Sequence, residues 1–284
     1  MKGAIIGQRR MGRIASRLVV YGLLAFVFAI SVFPILWVIM SSFKDNSAIL
    51  GSPFSLPSRL DFRAYAEVFT QYSFGIYTFN SLAVATVATL ASLVVYSMGA
   101  YAIAKFNFPG KNLFYILFTL TLLVPAQSRA EPIFSIILKL GLYDTKAALM
   151  IVYQSAGLAM SMFILRATFM SLPKELNEAA QIDGASFVRT FWIVNLPLAK
   201  TGLATAGIMM FLGNWNEYFY AMLLTSSPTN RTLPLALGFF SEAFSYDYTK
   251  MFAALTIVVV PGILIYTLAQ EQVQASVASS GIKG

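Results

Sequence analysis

The feature that most constrains this sequence is an uninterrupted apolar run at residues 18–40. At about 1.5 Å per helical residue the run extends about 34 Å, which is enough to cross the hydrocarbon core of a bilayer. Charged residues make up 11% of the chain, compared with about 25% in soluble domains, and the mean hydropathy is +0.71. The sequence therefore predicts an all-α integral membrane protein rather than a soluble domain.

Further apolar segments follow the first, so we expect six transmembrane helices. The expected spans are about residues 18–40, 80–104, 112–127, 147–169, 199–225 and 251–269. The third span is short and is interrupted near Pro125, because proline breaks helical hydrogen bonding. Together the spans form one transmembrane domain, residues 18–270, preceded by a basic leader, residues 1–17, and followed by a tail, residues 271–284.

The distribution of charge predicts the orientation of the chain. Twelve of the 20 Lys and Arg side chains lie in the leader, in the turn after the second span, around residues 171–197 and in the tail. Because Lys and Arg concentrate on the cytoplasmic side of membrane proteins, we expect a multi-pass membrane protein that is surrounded by lipid and has both termini in the cytoplasm. The net charge of +8 then reflects topology, and no nucleic-acid partner is expected.

The chain contains neither Cys nor His. It therefore lacks the thiolate and imidazole groups that serve as nucleophiles, bases and zinc ligands. It also lacks the sequence G-x-x-x-x-G-K-[ST], whose backbone cradles the phosphates of ATP. We expect no catalytic residue, no metal site and no cofactor bound by this chain. An intramembrane enzyme is disfavoured as well, because Glu217 is the one carboxylate within a predicted span.

The longest polar segment on the predicted cytoplasmic side, residues 171–197, has the pattern of two short helices joined by a turn. Ser171 is placed to cap a helix that Pro173 opens, and Gly184 lies where a left-handed turn would end that helix. A second helix is expected to follow until Asn195-Leu196-Pro197 ends it.

The first of these short helices carries Glu178-Ala179-Ala180, followed by Asp183-Gly184. The two alanines would let another backbone approach closely, and Glu178 supplies a charge for a basic partner. The spacing, closed by Leu196-Pro197, resembles the EAA loop of bacterial ABC importer permeases of type I. The resemblance implies a cytoplasmic coupling helix that docks on an ATP-hydrolysing subunit through Glu178, Ala179, Ala180, Asp183, Gly184, Leu196 and Pro197. The alternative is a solvated loop helix with an alanine-rich face.

The fifth predicted span contains the sequence Phe-Leu-Gly-Asn-Trp-Asn-Glu at residues 211–217. A carboxylate at membrane depth is costly, so Glu217 is expected to face a polar cavity or a partner. The segment resembles the carbohydrate branch of these permeases, which includes the second permease of maltose and oligosaccharide importers. Candidates for the substrate pathway or its gate are therefore Asn214, Trp215, Asn216 and Glu217. Alternatively, Glu217 lies near the outer interface or accepts a hydrogen bond from a neighbouring helix.

The predicted external loop at residues 226–250 is rich in aromatic side chains. Aromatic residues anchor many protein interfaces and suit sugar rings, so we expect Phe244 and Tyr246 to contact a substrate-binding protein. The alternative is a belt of rings against the lipid headgroups.

The resemblance also implies partners and a function. It implies a second permease in a heterodimer, two ATP-binding subunits that hold ATP and Mg, and an extracytoplasmic sugar-binding protein. The chain would then form half of the pathway of an ATP-driven sugar or oligosaccharide importer. A permease for another solute, such as an amino acid or a peptide, is an alternative. So is an ATP-independent channel or transporter, although the sequence shows neither an inverted repeat nor paired ionisable residues at midplane.

Overall fold

The computed structural model describes residues 2–155, 157–243 and 246–281. Within these ranges, side chains are described for residues 17–268 and for residue 270. All regular structure in these ranges is helical. The α-helices are α1 Lys2–Ser41, α2 Asn46–Gly51, α3 Arg63–Thr70, α4 Phe74–Lys105, α5 Lys111–Leu120, α6 Ala130–Lys139, α7 Lys146–Gln154, α8 Leu158–Ser171, α9 Glu175–Ile182, α10 Phe187–Thr190, α11 Leu196–Leu198, α12 Lys200–Trp215, α13 Phe219–Leu224, α14 Leu233–Ala243 and α15 Tyr248–Gly281. A π-helix, Phe191–Asn195, joins α10 to α11.

Three helical stretches of the described chain are each long and apolar enough to cross a bilayer. They are Arg17–Ser41, Phe74–Lys105 and Tyr248–Leu268. Further candidates arise only when two helices on either side of a break are taken together. Lys111–Leu123 meets Gln127–Lys139 at 106°, and Phe187–Leu198 meets α12 at 80°. The helices fit a multi-pass membrane protein in which several crossings are interrupted.

The interruption expected near Pro125 is present. A short 3-10 turn ends at Leu123, and Val124 is extended. Proline disfavours the helical conformation of the residue immediately before it, so Val124 is extended and the helix stops short of Pro125. This break could be foreseen because its cause is local in the sequence.

Residues 199–225 do not form a single helix, because α12 ends and α13 begins within them. The side-chain amide of Asn216 donates to the Leu212 carbonyl at 2.8 Å. The Glu217 carboxylate accepts from N–H groups of α13. Both side chains thus bond to backbone groups next to the break, in competition with a continuous helix.

The chain from Phe69 to Glu242, together with residues from Ile257 onward, forms one compact unit. Its central helix is α4, which packs against α7, α8 and α12. One apolar cluster joins α4 to α6, α7 and α13, and a second joins α4 to α8 and α12. Ala88 and Ala100 of α4 are fully buried, as small residues are where helices approach closely in lipid.

The chain up to Val68 and the segment Ala243–Thr256 form the other compact unit. Within it the ring of Trp37 in α1 meets the ring of Phe252 in α15 edge-on, with centroids 5.1 Å apart. Lys44, just after α1, is buried and donates to two backbone carbonyls that follow α2, at 3.0 and 2.9 Å. A buried ammonium group is thereby satisfied by backbone oxygens.

Candidate functional site

The polar loop at residues 171–197 begins with an extended residue between α8 and α9. The hydroxyl of Ser171 donates back to the Thr168 carbonyl at 2.8 Å. Leu172 is extended because Pro173 disfavours a helical residue before it. Lys105, at the end of α4, donates to the Leu172 carbonyl at 2.7 Å. The prediction that Ser171 caps a helix opened by Pro173 is therefore wrong, and α9 begins further along the chain.

Gly184 ends α9 as predicted, with φ at +75°. Its N–H donates to the Gln181 carbonyl at 3.0 Å, and the N–H of Ala185 donates to the Ala180 carbonyl at 2.9 Å. This pair of bonds is a Schellman motif, which satisfies carbonyls that the helix itself leaves free. Glycine takes this backbone conformation without a steric cost, so the direction of the chain after α9 depends on Gly184.

The second half of the loop stays helical beyond Pro197, so the prediction that Asn195-Leu196-Pro197 ends the helix is wrong. Ser186 caps α10, and the π-helix and α11 follow without a gap. Pro197 is the second residue of α11, and the helical path continues through it to Leu198. The helical path ends at Ala199 instead, where the chain turns by 80° into α12.

Asn195 links the two halves of the loop by a hydrogen bond to α9, and it links the loop to α4. Its side chain is buried, and Nδ2 lies 2.6 Å from Oδ1 of Asn177 in α9 and 3.4 Å from the Tyr101 hydroxyl in α4. The Tyr101 ring packs between those of Phe169 and Phe191, at centroid distances of 5.6 and 5.3 Å. Polar bonds surrounded by aromatic rings therefore hold the loop in a fixed position.

The loop exposes large apolar side chains among polar ones such as Lys174, Gln181 and Arg189. The large exposed apolar side chains of the loop are Leu176, Ile182, Phe187, Val188, Trp192 and Ile193. Ile182 is the most exposed of these, at 86%. We call these residues the loop surface. Glu178 and Asp183 are exposed beside it. Exposed apolar groups rimmed by charge mark surfaces that bind other proteins.

The two alanines of the loop have different environments. Ala179 is exposed, whereas Ala180 is buried, so only Ala179 is available for close approach by another backbone. Leu196 is half-buried and packs against the cluster formed by α4, α8 and α12, and Pro197 is exposed. The predicted coupling residues are therefore divided between the loop surface and its support.

Asn214 and Trp215, at the end of α12, are buried and join neighbouring helices. Nδ2 of Asn214 donates to Oγ1 of Thr89 in α4 at 3.1 Å. Nε1 of Trp215 donates to the Val258 carbonyl in α15 at 3.3 Å. Asn216, by contrast, is exposed. The structure thus places two of the predicted pathway residues between helices.

Glu217 is half-buried and lies just before α13. Its two carboxylate oxygens accept hydrogen bonds from the N–H groups of Tyr220 at 2.9 Å and Ala221 at 3.1 Å. The first N–H groups of a helix have no partner within the helix and favour a negative charge. The carboxylate is therefore stabilised by the backbone of the next helix in the chain.

The predicted aromatic loop contains regular structure, since α14 occupies much of residues 226–250. Phe240 is buried against Tyr72 and Phe74, with centroid distances of 5.2 Å to each, and is not available to a partner. Tyr246 is 87% exposed. Phe244 lies outside the described residues.

The segment between α13 and α14 is hydrogen-bonded to the turn before α7. The sequence did not indicate this connection. Oδ1 of Asp144 accepts from the N–H groups of Ser226 at 2.9 Å and Ser227 at 3.0 Å, and Oδ2 accepts from the Ser227 hydroxyl. The hydrogen bond from the Ser227 side chain, followed by the backbone bonds, lowers the pKa of Asp144 from 3.8 to about 2. The carboxylate is held in its charged form.

A second anchor reaches the same segment from α4. The side-chain amide of Asn80 donates to the carbonyls of Thr229 at 2.8 Å and Arg231 at 3.0 Å. Asp144 and Asn80 together form what we call the clasp on residues 225–231. Asp144 is 83 residues from Ser227, so no local pattern could have revealed the contact.

The described chain is all-helical, has helices long and apolar enough to cross a membrane, and carries exposed apolar side chains on the loop surface. Residues 96–279 match the family described as binding-protein-dependent transport system inner membrane component. The chain belongs to this family.

Similar proteins cover almost the whole chain. The diacetylchitobiose uptake system permease protein NgcG of Streptomyces coelicolor is 35% identical over 279 residues, which are 98% of this chain and 91% of that protein. The trehalose transport system permease protein SugB of Mycobacterium tuberculosis is 31% identical and covers 88% of this chain, with 92% of its own length matched. A chain of a bacterial ABC transporter involved in the import of the acidic polysaccharide alginate superposes with a TM-score of 0.78 at 27% identity, covering 89% of this chain and 95% of that chain.

Proposed function

We propose that this chain is the membrane-spanning permease subunit of an ATP-driven sugar or oligosaccharide importer. The observation that carries the proposal is the family match over residues 96–279. Relatives named for the transport of diacetylchitobiose and trehalose, and a structural neighbour from an alginate importer, support the sugar class of solute. These saccharides differ in size and charge, so we assign the chain to sugar transport as a class and to no single sugar.

In this proposal the chain crosses the bacterial cytoplasmic membrane six times, with both termini in the cytoplasm. Three single helices, the two bent helix pairs at residues 111–139 and 146–171, and α12 together with α13 supply the crossings. The excess of Lys and Arg in the leader and around residues 171–197 supports this orientation. The loop surface then faces the cytoplasm, and the clasp faces the opposite side.

The proposed transporter contains several chains. This permease forms half of the translocation pathway, and a second permease completes it as a heterodimer. Two ATP-binding subunits hold ATP and Mg, which this chain is not built to bind, and an extracytoplasmic sugar-binding protein delivers the solute. The exposed ring of Tyr246 is the proposed contact for that binding protein.

The loop surface is the proposed docking site for an ATP-binding subunit. Ile182 and Trp192 supply exposed apolar area, and Glu178 and Asp183 supply charge beside it. Asn195 links α9 to α4, so a displacement of the docked helix is passed to the transmembrane helices without a flexible connection. The chain thereby couples nucleotide-driven movement in a partner to its own helices.

The segment at the end of α12 is the proposed part of the pathway or its gate. Asn216 is exposed and Glu217 is half-buried at a break between helices, where polar groups meet the surface of the chain. Asn214 and Trp215 contribute by holding that break against α4 and α15. Asn216 and Glu217 thus offer polar groups, and Asn214 and Trp215 fix the position of the break.

Replacement of Gly184 by valine tests the coupling proposal. A β-branched residue at φ +75° is strained by about 1–2 kcal/mol, which should redirect the chain after α9 and misplace the loop surface. No atom lies within 4 Å of the position of the added β-carbon, so the effect is on the backbone and not on packing. We expect Gly184→Val to insert normally but to lose most sugar uptake and most association with the ATP-binding subunits.

Gly141→Val is the matched control. Gly141 also has positive φ, at +67°, and has no atom within 4 Å of an added β-carbon, but it lies in the turn before α7. It should therefore suffer the same local strain and keep its ATP-binding subunits. Equal assembly and equal uptake in the two variants would contradict docking through this loop.

A further inference from the structure

A polar pocket of about 410 Å³ opens beside the turn between α4 and α5. It is lined by Asn107, Lys111 and Asn112 from the turn and from the start of α5, and by Arg166 from α8. The bond from Lys105 to the backbone between α8 and α9 places the pocket at the same end of α4 as the loop surface. Its size suits a small polar group.

The pocket presents positive charge that no acidic residue balances. Lys111 Nζ contacts Oδ1 of Asn107 at 3.3 Å, and the Arg166 guanidinium lies over the Tyr115 ring, 4.3 Å from its centroid. Nε of Arg166 is buried and has no hydrogen-bond partner in the described part of the chain. All of the lining residues are neutral or basic, so an anion would find two cations there.

The backbone of α5 adds to this preference. The residue before its first turn is Gly110, which has no side chain with which to cap the helix. The N–H of Lys111 donates to the Phe108 carbonyl, and no side chain caps the start of α5, so the positive end of the helix dipole lies at residues that line the pocket. Uncapped helix N-termini of this kind bind phosphate groups.

The surface next to the pocket is apolar. Along α5 the exposed side chains include Leu113, Phe114 and Leu117, which are 60%, 51% and 50% exposed. Phe163 on α8 is also 56% exposed. A cationic pocket that continues into an exposed apolar helix face matches a ligand with an anionic head and hydrocarbon tails, whereas a free phosphate ion would use only the pocket.

We propose that this pocket binds the phosphate headgroup of an anionic phospholipid in the cytoplasmic leaflet, with the acyl chains lying along α5. Basic pockets between transmembrane helices on the cytoplasmic side bind such headgroups. Lys111 and Arg166 hold the phosphate, and Asn107 and Asn112 supply amide groups to its remaining oxygens. The inference goes beyond sugar transport and requires only that the chain lies in the membrane with its loop surface in the cytoplasm.

The test counts bound lipid on the assembled transporter. The complex is placed in nanodiscs of phosphatidylcholine that contain a minor fraction of phosphatidylglycerol, and native mass spectrometry measures how much phosphatidylglycerol it retains on release. A basic residue at a membrane surface contributes about fivefold to binding of anionic lipid. We therefore expect Arg166→Gln to reduce retention about fivefold, and Lys111→Gln with Arg166→Gln to reduce it further.

Two variants serve as controls. Lys139→Gln removes one exposed cation from α6 and should leave retention unchanged. Arg166→Lys keeps the charge and should preserve most of the retention, which separates loss of charge from a folding defect. Retention in Arg166→Gln equal to that in Lys139→Gln would overturn the proposal.

Inorganic phosphate in excess distinguishes the two sources of the anion. Under our proposal it should not displace the lipid, because the acyl chains contribute to binding. Displacement by phosphate would show a site for a free anion and would reject the lipid. Unchanged lipid retention combined with loss of the ATP-binding subunits in Arg166→Gln would assign the pocket to an acidic segment of a partner protein instead.

Discussion

Gly202 shows how closely two transmembrane helices approach each other in this chain. A β-carbon at this position of α12 would lie 2.1 Å from Oγ1 of Thr168 in α8 and 2.8 Å from its β-carbon. The Thr168 hydroxyl donates to the Ile164 carbonyl at 2.9 Å, so the side chain cannot turn away without losing that bond. The contact therefore requires the absence of a side chain at residue 202.

Gly202→Ala should destabilise the chain, because the added methyl group overlaps Thr168. Overpacking of this kind costs about 1–3 kcal/mol. We expect a lower melting temperature for the purified complex. Thr168→Ala in the same chain should recover part of the loss, since it removes Oγ1 but keeps the β-carbon.

Gly213→Ala is the control for this substitution. Gly213 lies in the same helix, and nothing lies within 4 Å of an added β-carbon there. It should melt like the unmodified chain. If Gly202→Ala also melts like the unmodified chain, α8 and α12 are not packed as closely as described.

Single residues differ in how readily their roles could be predicted. Gly184 could be recognised as the end of α9 because a glycine after a short helix is a local signal. The role of Asn195 could not, since its partners Asn177 and Tyr101 are 18 and 94 residues away. Its sequence neighbours Leu196 and Pro197 suggested a helix end, and that suggestion was wrong because the helical path continues through Pro197 to Leu198.

Helix breaks also differ in whether a local feature of the sequence predicts them. The break near Pro125 was predictable from the proline, whereas the break after Trp215 was not, because no proline marks it and the nearby Gly213 lies within α12. There the chain stops being helical because Asn216 and Glu217 bond to nearby backbone groups. Hydropathy finds apolar segments, but it does not reveal where polar side chains interrupt them.

Asp144 connects its own turn to the segment between α13 and α14, so its replacement should loosen that segment. Asp144→Asn should weaken the bonds to Ser226 and Ser227, because a neutral amide accepts less strongly than a carboxylate. Amide hydrogen exchange in residues 225–231 should become faster. Asn80 would still hold the other side of the segment, so we expect local loosening and not general unfolding.

The pH dependence of this anchor follows from the direction of the shift. Because hydrogen bonds from Ser227 and its neighbours lower the pKa of Asp144 to about 2, the anchor is complete above the ordinary value of 3.8 and is lost as the pH falls toward 2. Asp61, whose bonds to Arg63 lower its pKa to about 2 as well, offers a matched control in Asp61→Asn. Faster exchange in residues 225–231 of that control would contradict the assignment to Asp144.

The whole molecule offers a test of orientation, because the chain contains no cysteine and single cysteines can be introduced freely. Ser58→Cys and Gln181→Cys both replace exposed residues. Under our proposal a membrane-impermeant maleimide should label Ser58→Cys in cells with a permeable outer layer, and Gln181→Cys only after the cytoplasmic membrane is opened. Labelling of Gln181→Cys in closed cells would reverse the topology.

For the molecule as a whole, composition and charge predicted the all-helical membrane class, and the loop that contains Glu178-Ala179-Ala180 carried the family resemblance. They did so because apolar length and the Glu178-Ala179-Ala180 loop are properties of continuous stretches of sequence. The clasp and the pocket at Arg166 were not predicted, since each brings together residues from separate helices. What sequence reasoning missed is therefore the set of polar contacts that form only after the helices have packed.

The break between α12 and α13 also determines what can surround the chain. In the proposed topology α12 starts at the cytoplasmic loop, and its 16 residues extend about 24 Å, which is less than the roughly 30 Å of a hydrocarbon core, so this topology places the break inside the bilayer. Irregular backbone cannot face hydrocarbon, because its polar groups would have no partner there. Asn216 and Tyr218 are exposed at this depth. Acyl chains are therefore excluded from this side of the chain, and it is covered by water or by protein.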